Sequence, residues 1–210
     1  MTQTQAGIAT SDVPEKKLPP GKIKIMEALK ILLEQKEFAS ITIAELARTA
    51  GVTEGLIYKY FKDKRDVLHA VLADYVDFFI SRLETDLQDV EGALNKLRKV
   101  IRIHITMYAY NRVFSRILLL EVRNHPDYFH SSAYETVKRY TRLLKGIIEE
   151  GRAESSIRRD IPAEAVRQLI LGAIEHICLP NVLFHYPLNP EEASDQLCEM
   201  VFRGITENTV

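Results

Sequence analysis

The chain has 210 residues, of which 46% are hydrophobic and 27% charged, a composition that is ordinary for a soluble globular protein and unlike that of a disordered one. No apolar run approaches the roughly 20 residues that a transmembrane helix needs, and the N-terminus lacks the apolar centre of a signal peptide, so we expect a cytoplasmic protein without a membrane segment. The two cysteines, Cys178 and Cys198, are too few for a disulfide scaffold and fall in apolar helical patterns, where reduced thiols pack as small hydrophobes.

The net charge of −1 does not indicate nucleic-acid binding by the chain as a whole, so the distribution of charge matters more than its sum. Residues 1–66 contain 11 Lys and Arg against 9 Asp and Glu, a net charge of +2, whereas residues 67–210 contain 17 against 20, a net charge of −3. The sign of this weak bias favours DNA contact through the first third, with an affinity that depends on a few placed contacts.

The first segment of the chain is rich in proline and small polar residues and has no apolar periodicity, which predicts a mobile arm over residues 1–21. Its end and the residues that follow carry lysines that either touch phosphates or are only solvated, and we favour solvation: Lys16, Lys17, Lys22 and Lys24. From Lys22 to Lys36 an apolar stripe predicts a first helix, which packs beneath the next two. The stripe consists of Ile25, Leu29, Leu32 and Leu33.

The stretch from Thr42 to Lys64, TIAELARTAGVTEGLIYKYFKDK, predicts a helix, a tight turn and a second helix. Thr42 and Glu45 have the spacing of a capping box before apolar residues at helical intervals, and Gly51 follows as a stop signal. Thr53 then caps the second helix.

This second helix has Ile57 and Phe61 on its inner side and the polar tips of Tyr58, Lys59 and Tyr60 on its other sides. Two helices joined by a few residues, the second rich in hydrogen-bond donors, form the helix-turn-helix pattern. The alternative is a helical hairpin that serves only as core. The concentration of donors after a capped turn makes us favour DNA contact.

Six further helical patterns follow, with no strand pattern and no repeat. Apolar stripes and helix signals place them at about 65–87, 94–110, 114–119, 126–151, 162–184 and 190–206. The pattern over 162–184 is apolar on more than one face and interrupted by Gly172 and Pro180, which favours burial in a subunit interface. We therefore predict an all-α fold of about nine helices, with a three-helix domain over residues 22–66 and a larger helical domain over residues 67–210.

The residues GVTEGLIYKYFKDKRDVL, Gly51 to Leu68, resemble the DNA-binding signature of the TetR family of bacterial transcriptional regulators, with its glycine turn, short recognition helix and following lysine. The resemblance implies a homodimer whose N-terminal domain binds DNA and whose C-terminal domain binds an inducer. It implies dimerisation through the last two helices, about 162–184 and 190–206. The implied partners are a double-stranded DNA operator and a small, mainly apolar inducer, and no cofactor is implied.

Carried over position by position, the resemblance implies a set of DNA-binding residues: Thr42, Thr53, Glu54, Gly55, Tyr58, Lys59, Tyr60 and Lys64. Lys59 is the main candidate for reading a base, because an ammonium group can donate to guanine O6 or N7, while Tyr58, Tyr60 and Lys64 would hold the phosphate backbone. Glu54 either accepts from a cytosine amino group or is solvated. Ala44, where some relatives place an arginine, has no group that reads a base.

The C-terminal part resembles the branch of this family that includes fatty-acid-degradation regulators responding to acyl-CoA, in the segments RILLLEVRNHPDYF (116–129) and IRRDIPAEAVRQLILGAIE (157–175). Ser155 departs from the branch, which often has glycine there. Composition allows an apolar or aromatic pocket in these helices. The candidate ligand-binding residues are Met107, Tyr108, Phe114, Arg123, Tyr128 and Phe184. Arg123 either anchors an acidic group of the ligand or pairs with a neighbouring acid at the surface, and we favour the pair.

Patterns typical of catalysis or metal binding do not occur: there is no glycine-rich phosphate loop, no Ser-His-Asp order, and no HxxxH or HxH spacing. We therefore expect neither an enzyme nor a metal site. The expected function is a ligand-released transcriptional repressor. The alternatives are a helical small-molecule-binding protein without DNA function and a small helical enzyme.

Overall fold

The computed structural model describes residues 18–206, and within that range the chain forms nine α-helices and no strand. The helices are α1 Pro20–Gln35, α2 Ile43–Ala50, α3 Glu54–Tyr60, α4 Lys64–Leu87, α5 Ala93–Tyr110, α6 Arg112–Arg116, α7 Ser132–Ala153, α8 Ala163–Phe184 and α9 Pro190–Ile205. Two 3-10 turns, Phe38–Ser40 and Pro126–His130, and one π-helical turn, Ile117–Glu121, complete the order. The prediction of an all-α fold with about nine helices is confirmed.

The first helix begins two residues before the predicted Lys22. Pro20 occupies the first turn, where its missing N–H costs no hydrogen bond and its fixed φ is already helical. Pro20 and Gly21, predicted as part of the arm, are therefore helical. Residues 1–17, which hold the rest of the predicted arm with Lys16 and Lys17, lie outside the described residues.

Helices α1, α2 and α3 enclose a small core, to which each contributes fully buried side chains. Ile25 and Leu29 of α1, Leu46 of α2 and Ile57 of α3 are all 0% exposed. Burying an aliphatic side chain of this size contributes about 1.5–3 kcal/mol. The three helices therefore stabilise one another through this shared core, which no single helix could form.

Helix α4 joins this core to the rest of the molecule. Its 24 residues span about 36 Å at 1.5 Å per residue. Asp74 on α4 is paired with Lys30 of α1 at 3.0 Å, and Asp77 is paired with Arg139 of α7 at 2.7 Å. Because α4 runs across the predicted boundary between residues 66 and 67, one rigid element belongs to both predicted domains. The exact boundary stays a prediction.

Two helices of the larger domain differ from their predicted form. The helix predicted over 126–151 is divided at Ser131, whose extended backbone ends the 3-10 turn and whose hydroxyl accepts from the Tyr134 N–H at 3.2 Å as the cap of α7. Helix α8 is not interrupted but continues through Pro180. The lost backbone hydrogen bond lies near its end, and the buried neighbours Cys178 and Val182 hold the turn in place.

Ser155, in the loop after α7, has a φ of 62°, in the left-handed region that favours glycine. This is the position where the sequence resemblance leads us to expect glycine. The backbone of the loop therefore keeps the conformation that a glycine would adopt without strain.

Candidate functional site

The turn between α2 and α3 is built by three local signals, all of which the sequence predicts. The Glu45 N–H donates to the Thr42 hydroxyl at 3.1 Å, and the Leu56 N–H donates to the Thr53 hydroxyl at 3.3 Å. Gly51 ends α2 with a φ of 63°, which places it in the left-handed region. The predicted caps and stop are confirmed, and they fix the angle at which α3 leaves α2.

Helix α3 presents an exposed polar face. Ile57 is buried beneath it, whereas Thr53, Glu54, Lys59 and Tyr58 are exposed, the last by 56%. This face brings together most of the predicted DNA-binding residues on the side of one short helix that points away from the core. Its shape and donors suit insertion into the major groove.

Two glycines next to this face differ in how closely they are packed. A Cβ at Gly55 would meet only the Thr53 hydroxyl, at 3.9 Å, so nothing within the chain requires glycine there. A Cβ at Gly21 would come within 3.2 Å of the Tyr60 ring, so the start of α1 lies directly against the end of α3. The half-buried Tyr60 therefore holds α1 and α3 together. At Gly55 there is free space for the backbone of a binding partner.

Lys64 has partners that sequence reasoning did not foresee. Its ammonium donates to the carbonyl oxygens of Phe38 at 2.8 Å, Ile41 at 2.5 Å and Ala39 at 3.2 Å, and it lies 4.5 Å from the centre of the Phe38 ring. All three donor positions of an ammonium group are thereby used. Burial lowers the pKa of Lys64. The structure thus gives Lys64 an internal role, fastening the start of α4 to the loop before α2.

A cavity of about 330 Å³ lies inside the larger domain, between α4, α5, α7, α8 and the π-helical turn. Its lining is mainly apolar and aromatic, with a few polar groups, which is the usual make-up of a small-molecule site. The lining residues are Val76, Phe79, His104, Met107, Tyr108, Leu118, Arg123, Tyr134, Val137, Lys138, Tyr140, Thr141, Arg167, Leu171 and Glu175.

Three of the six candidate ligand-binding residues, Met107, Tyr108 and Arg123, line this cavity, and the other three do not. The Phe114 ring stacks on Tyr75 at 4.7 Å between centroids, and Tyr128 is buried beside Phe129 and Tyr134 outside the cavity. Phe184 is 64% exposed at the end of α8. Sequence reasoning grouped these aromatics by helix. The break at Ser131 separates Tyr128 from the cavity, and the length of α8 carries Phe184 beyond it.

Arg123 forms a two-point ion pair with Glu175 of α8 in the cavity wall, with N–O distances of 2.9 and 2.6 Å. The hydrogen bonds to this carboxylate raise the pKa of the guanidinium. The favoured prediction, that Arg123 pairs with an acid, agrees with this geometry. The acid is a distant one on another helix, however, and the pair borders the cavity.

His104 and Tyr140 form a buried polar pair in the same wall, which sequence reasoning missed. The Tyr140 oxygen lies 2.8 Å from Nδ1 of His104, with the two rings perpendicular. Burial lowers the pKa of His104 to about 3 and raises that of Tyr140. The available signal was the position of His104 on the apolar stripe of α5, between Ile101 and Tyr108 at helical spacing.

Contacts also link the larger domain to the three-helix core near α2. Arg116, at the end of α6, forms two hydrogen bonds with the Glu37 carboxylate, at 2.7 and 2.6 Å. His69 of α4 faces Tyr128, with ring centroids 6.1 Å apart. The loop before α2 and the first part of α4 are therefore in direct contact with the larger domain.

Within residues 18–206 no helix is long and apolar enough to cross a membrane. In the same part of the chain, no three side chains of His, Cys, Asp or Glu converge as metal ligands would.

Comparison with known proteins finds a matching family for each of the two parts of the chain. The model of bacterial regulatory proteins of the tetR family matches residues 25–71, and that of the C-terminal region of YsiA-like proteins matches residues 72–204. The fatty acid metabolism regulator protein of Bacillus subtilis (strain 168) is 27% identical over 186 residues, which cover 89% of this chain and 96% of that protein.

Two solved structures share the fold along nearly their whole length. The transcriptional regulator FadR from Bacillus subtilis in complex with stearoyl-CoA superposes with a TM-score of 0.78 at 27% identity, covering 87% of this chain and 98% of that one. The fatty acid degradation regulator FadR from Bacillus halodurans gives a TM-score of 0.79 at 21% identity, covering 90% and 98%.

Proposed function

The chain belongs to the tetR family of bacterial regulatory proteins and is a ligand-responsive DNA-binding transcriptional regulator, and we propose that it is a repressor released by an acyl-CoA or a fatty acid. In this proposal a cytoplasmic homodimer binds a palindromic operator. The ligand enters the cavity of the larger domain and lowers the affinity for the operator.

The observation that carries the proposal is that one helix, α4, connects the cavity to the DNA-reading surface. Val76 and Phe79 of α4 line the cavity, and Lys64 at its start is bound to the loop before α2. Lys64 and Val76 are about 18 Å apart along the helix axis at 1.5 Å per residue. Since α-helices are stiff over this length, a ligand that displaces the cavity wall also moves the loop before α2, and through it α2 and the α3 packed on it.

The DNA-binding roles follow from exposure and chemistry. Lys59 is proposed to read a base, and Thr42, Tyr58 and Tyr60 to contact phosphates, with Thr53, Glu54 and Gly55 facing the groove. Lys64 is proposed to act through the fold, since its ammonium is used by three carbonyl oxygens. The open space at Gly55 supports close approach of a DNA backbone at that position.

The fatty acyl ligand is proposed from two supports. The mainly apolar lining suits an alkyl chain, and FadR from Bacillus subtilis, at 27% identity, was solved with stearoyl-CoA. Met107, Tyr108 and Arg123 remain the proposed contacts among the residues chosen from the sequence. The proposal no longer includes Phe114, Tyr128 and Phe184, which lie elsewhere.

Dimerisation is proposed through α8 and α9, because both leave apolar side chains exposed. Leu169 is 55%, Phe184 64% and Met200 64% exposed, although each lies on or at the end of a helix whose opposite face is buried. Exposed apolar groups on adjacent helices are typical of a subunit interface. A two-fold axis there would set two α3 helices about 34 Å apart, one turn of B-DNA.

The proposed mechanism is a population shift between a DNA-binding and a non-binding arrangement. The ligand favours the arrangement in which α4 and the π-helical turn are displaced. Two contacts transmit the displacement: Lys64 with the loop before α2, and Arg116 with Glu37. The ligand can weaken operator binding only by as much as its own binding free energies for the two arrangements differ.

The proposal is tested by fluorescence anisotropy of the protein on DNA upstream of its own gene, with stearoyl-CoA added and with free coenzyme A as the control. We expect stearoyl-CoA to weaken operator binding at least tenfold and coenzyme A to have no effect, because only the acyl chain fills the cavity. Tight binding of stearoyl-CoA with unchanged operator affinity would refute the coupling.

A further inference from the structure

The cavity wall contains one buried histidine whose second ring nitrogen has no partner. His104 is 5% exposed, and its ring lines the cavity beside Phe79, Tyr108 and Tyr140. Nδ1 is held by the Tyr140 hydroxyl at 2.8 Å. Within residues 18–206, Nε2 makes no hydrogen bond. Because His104 lines the cavity, its unpartnered ring nitrogen is available to a ligand atom that enters there.

The position of the histidine proton follows from the chemistry of this pair. Burial lowers the pKa of His104 to about 3, so the imidazole is neutral and carries one N–H. The phenol is a strong donor and the bare imidazole nitrogen a strong acceptor, so Tyr140 donates to Nδ1. The proton of the imidazole is then on Nε2, and Nε2 is a donor.

The opposite tautomer would leave Tyr140 with an unsatisfied proton. In that case Nδ1–H would donate to the Tyr140 oxygen, and the hydroxyl proton would need another acceptor. Tyr140 is 6% exposed, and the described part of the chain offers no second hydrogen bond to its hydroxyl. Leaving a buried donor unsatisfied is costly, so the Nε2–H tautomer is favoured.

The cationic groups of the cavity wall are already paired. Arg123 is bound at two points by Glu175, Lys138 by Glu135 at 2.5 Å, and Arg167 by Glu164. A carboxylate brought to His104 would therefore meet a neutral donor and no unpaired cation of the lining, whereas a carbonyl oxygen needs only a neutral donor.

We propose that the ligand of this cavity carries a neutral carbonyl oxygen, which accepts a hydrogen bond from Nε2–H of His104, and that Tyr140 fixes the tautomer that makes this possible. The inference rests on the proposed function and deepens it, because it names the chemical group of the ligand that the cavity wall recognises. The oxygen can belong to the thioester itself or to a keto group along the chain. His104 is the specificity-determining residue, and Tyr140 is a positioning residue.

The test compares three ligands by isothermal titration calorimetry: stearoyl-CoA, its thioether analogue S-octadecyl-CoA, and 10-oxooctadecanoyl-CoA. If the thioester carbonyl is read, the wild type binds stearoyl-CoA about tenfold more tightly than the thioether, since the thioether leaves Nε2–H unsatisfied. If a keto oxygen in the chain is read, the first two ligands bind alike and the oxo ligand binds about tenfold more tightly. In either case, His104→Phe is expected to bring the affinities of the compared ligands to within twofold of one another.

The matched control is His69→Phe, which replaces the other buried histidine, 4% exposed and outside the cavity. It is expected to keep the wild-type ratios. Equal binding of all three ligands by the wild type, with release of the operator, overturns the inference and leaves the proposed function standing. Failure of the wild type to bind any of the three contradicts the proposed function itself.

A second measurement needs no substitution at His104. Nitrogen-15 NMR of the histidine rings in the unliganded wild type identifies which nitrogen carries the proton, and the His69→Phe variant separates the two buried rings. We expect the Nε2–H tautomer for His104, a loss of that preference in Tyr140→Phe, and a shift of the Nε2 resonance when the preferred ligand binds. The Nδ1–H tautomer in the wild type would overturn the inference.

Discussion

Arg123 and Glu175 are joined at two points across the cavity wall, although they are 52 positions apart in the chain. The pair ties the segment after the π-helical turn to α8, the helix proposed to form part of the dimer interface. One ion pair therefore belongs both to the cavity wall and to the helix of the proposed interface.

We expect Arg123→Met and Glu175→Gln each to lower the free energy of unfolding by about 1 kcal/mol, because each leaves a partner group without its ion pair. Solvent screens the pair, since the Arg123 side chain is 40% exposed, so the effect stays near this size. Urea unfolding of both single variants and the double variant measures the coupling. If the two changes were simply additive, the pair would contribute nothing to stability.

Lys64→Met is expected to lower the stability of the three-helix core by about 1–3 kcal/mol, because three carbonyl oxygens lose their donor. Operator affinity should fall as α4 loosens. The dependence of affinity on salt should not change, since no phosphate contact is removed. Thermal unfolding and operator titrations at several salt concentrations check both. A salt slope flattened by about one would instead indicate a phosphate contact.

Lys59→Ala is expected to change the sequence preference at one operator position by about tenfold, because a base-reading ammonium discriminates by about 1–3 kcal/mol. Binding to a panel of operators substituted one base pair at a time measures it. The matched control is Lys62→Ala, an exposed lysine just beyond α3. A Lys59 variant with the same preference at every position would exclude the base-reading role.

The stability of the protein should depend on pH through His104. Its folded-state pKa is lowered to about 3, whereas in the unfolded chain it is near 6.5, so the unfolded state binds a proton that the folded state does not. Stability is thus full above pH 6.5 and is lost as pH falls below it, by roughly 1–2 kcal/mol between pH 6.5 and 5.0. Urea denaturation at both pH values measures this difference in the free energy of unfolding, which should be smaller in His104→Phe than in the wild type. An equal pH dependence in the two proteins would contradict burial of a neutral imidazole.

Leu169→Glu is expected to convert the proposed dimer to a monomer, because a charge placed in the proposed apolar interface would remain without a partner. Sedimentation equilibrium at micromolar concentration measures the change. Phe78→Glu is the matched control, since Phe78 is 70% exposed on α4 and outside the proposed interface. If both variants remained dimeric, the interface would lie elsewhere.

The features that could be predicted from the sequence are those whose partners are close in the chain. Thr42, Gly51 and Thr53 act within four residues of themselves, so their spacing is enough to locate α2, the turn and α3. The apolar stripes likewise located most helices to within a few residues, because burial repeats with the helical period.

The features that could not be predicted depend on distant partners. Tyr140 is 36 positions from His104, and Ile41 is 23 positions from Lys64. Nothing in local periodicity says which helices will face each other, so a lysine beyond the recognition helix was assigned to DNA when its nearest acceptors lie within the fold. A histidine on an apolar stripe was likewise passed over.

Arg116 and Arg123 are seven positions apart, which in an unbroken α-helix is almost two turns and would put both on the same side. The π-helical turn Ile117–Glu121 holds more residues per turn, and with the bend after it Arg116 reaches Glu37 while Arg123 reaches Glu175. The type of helical turn therefore matters here more than residue identity. If Ile117–Glu121 were a regular α-helical turn, the two arginines would lie on a common side, and only one of the two links could form.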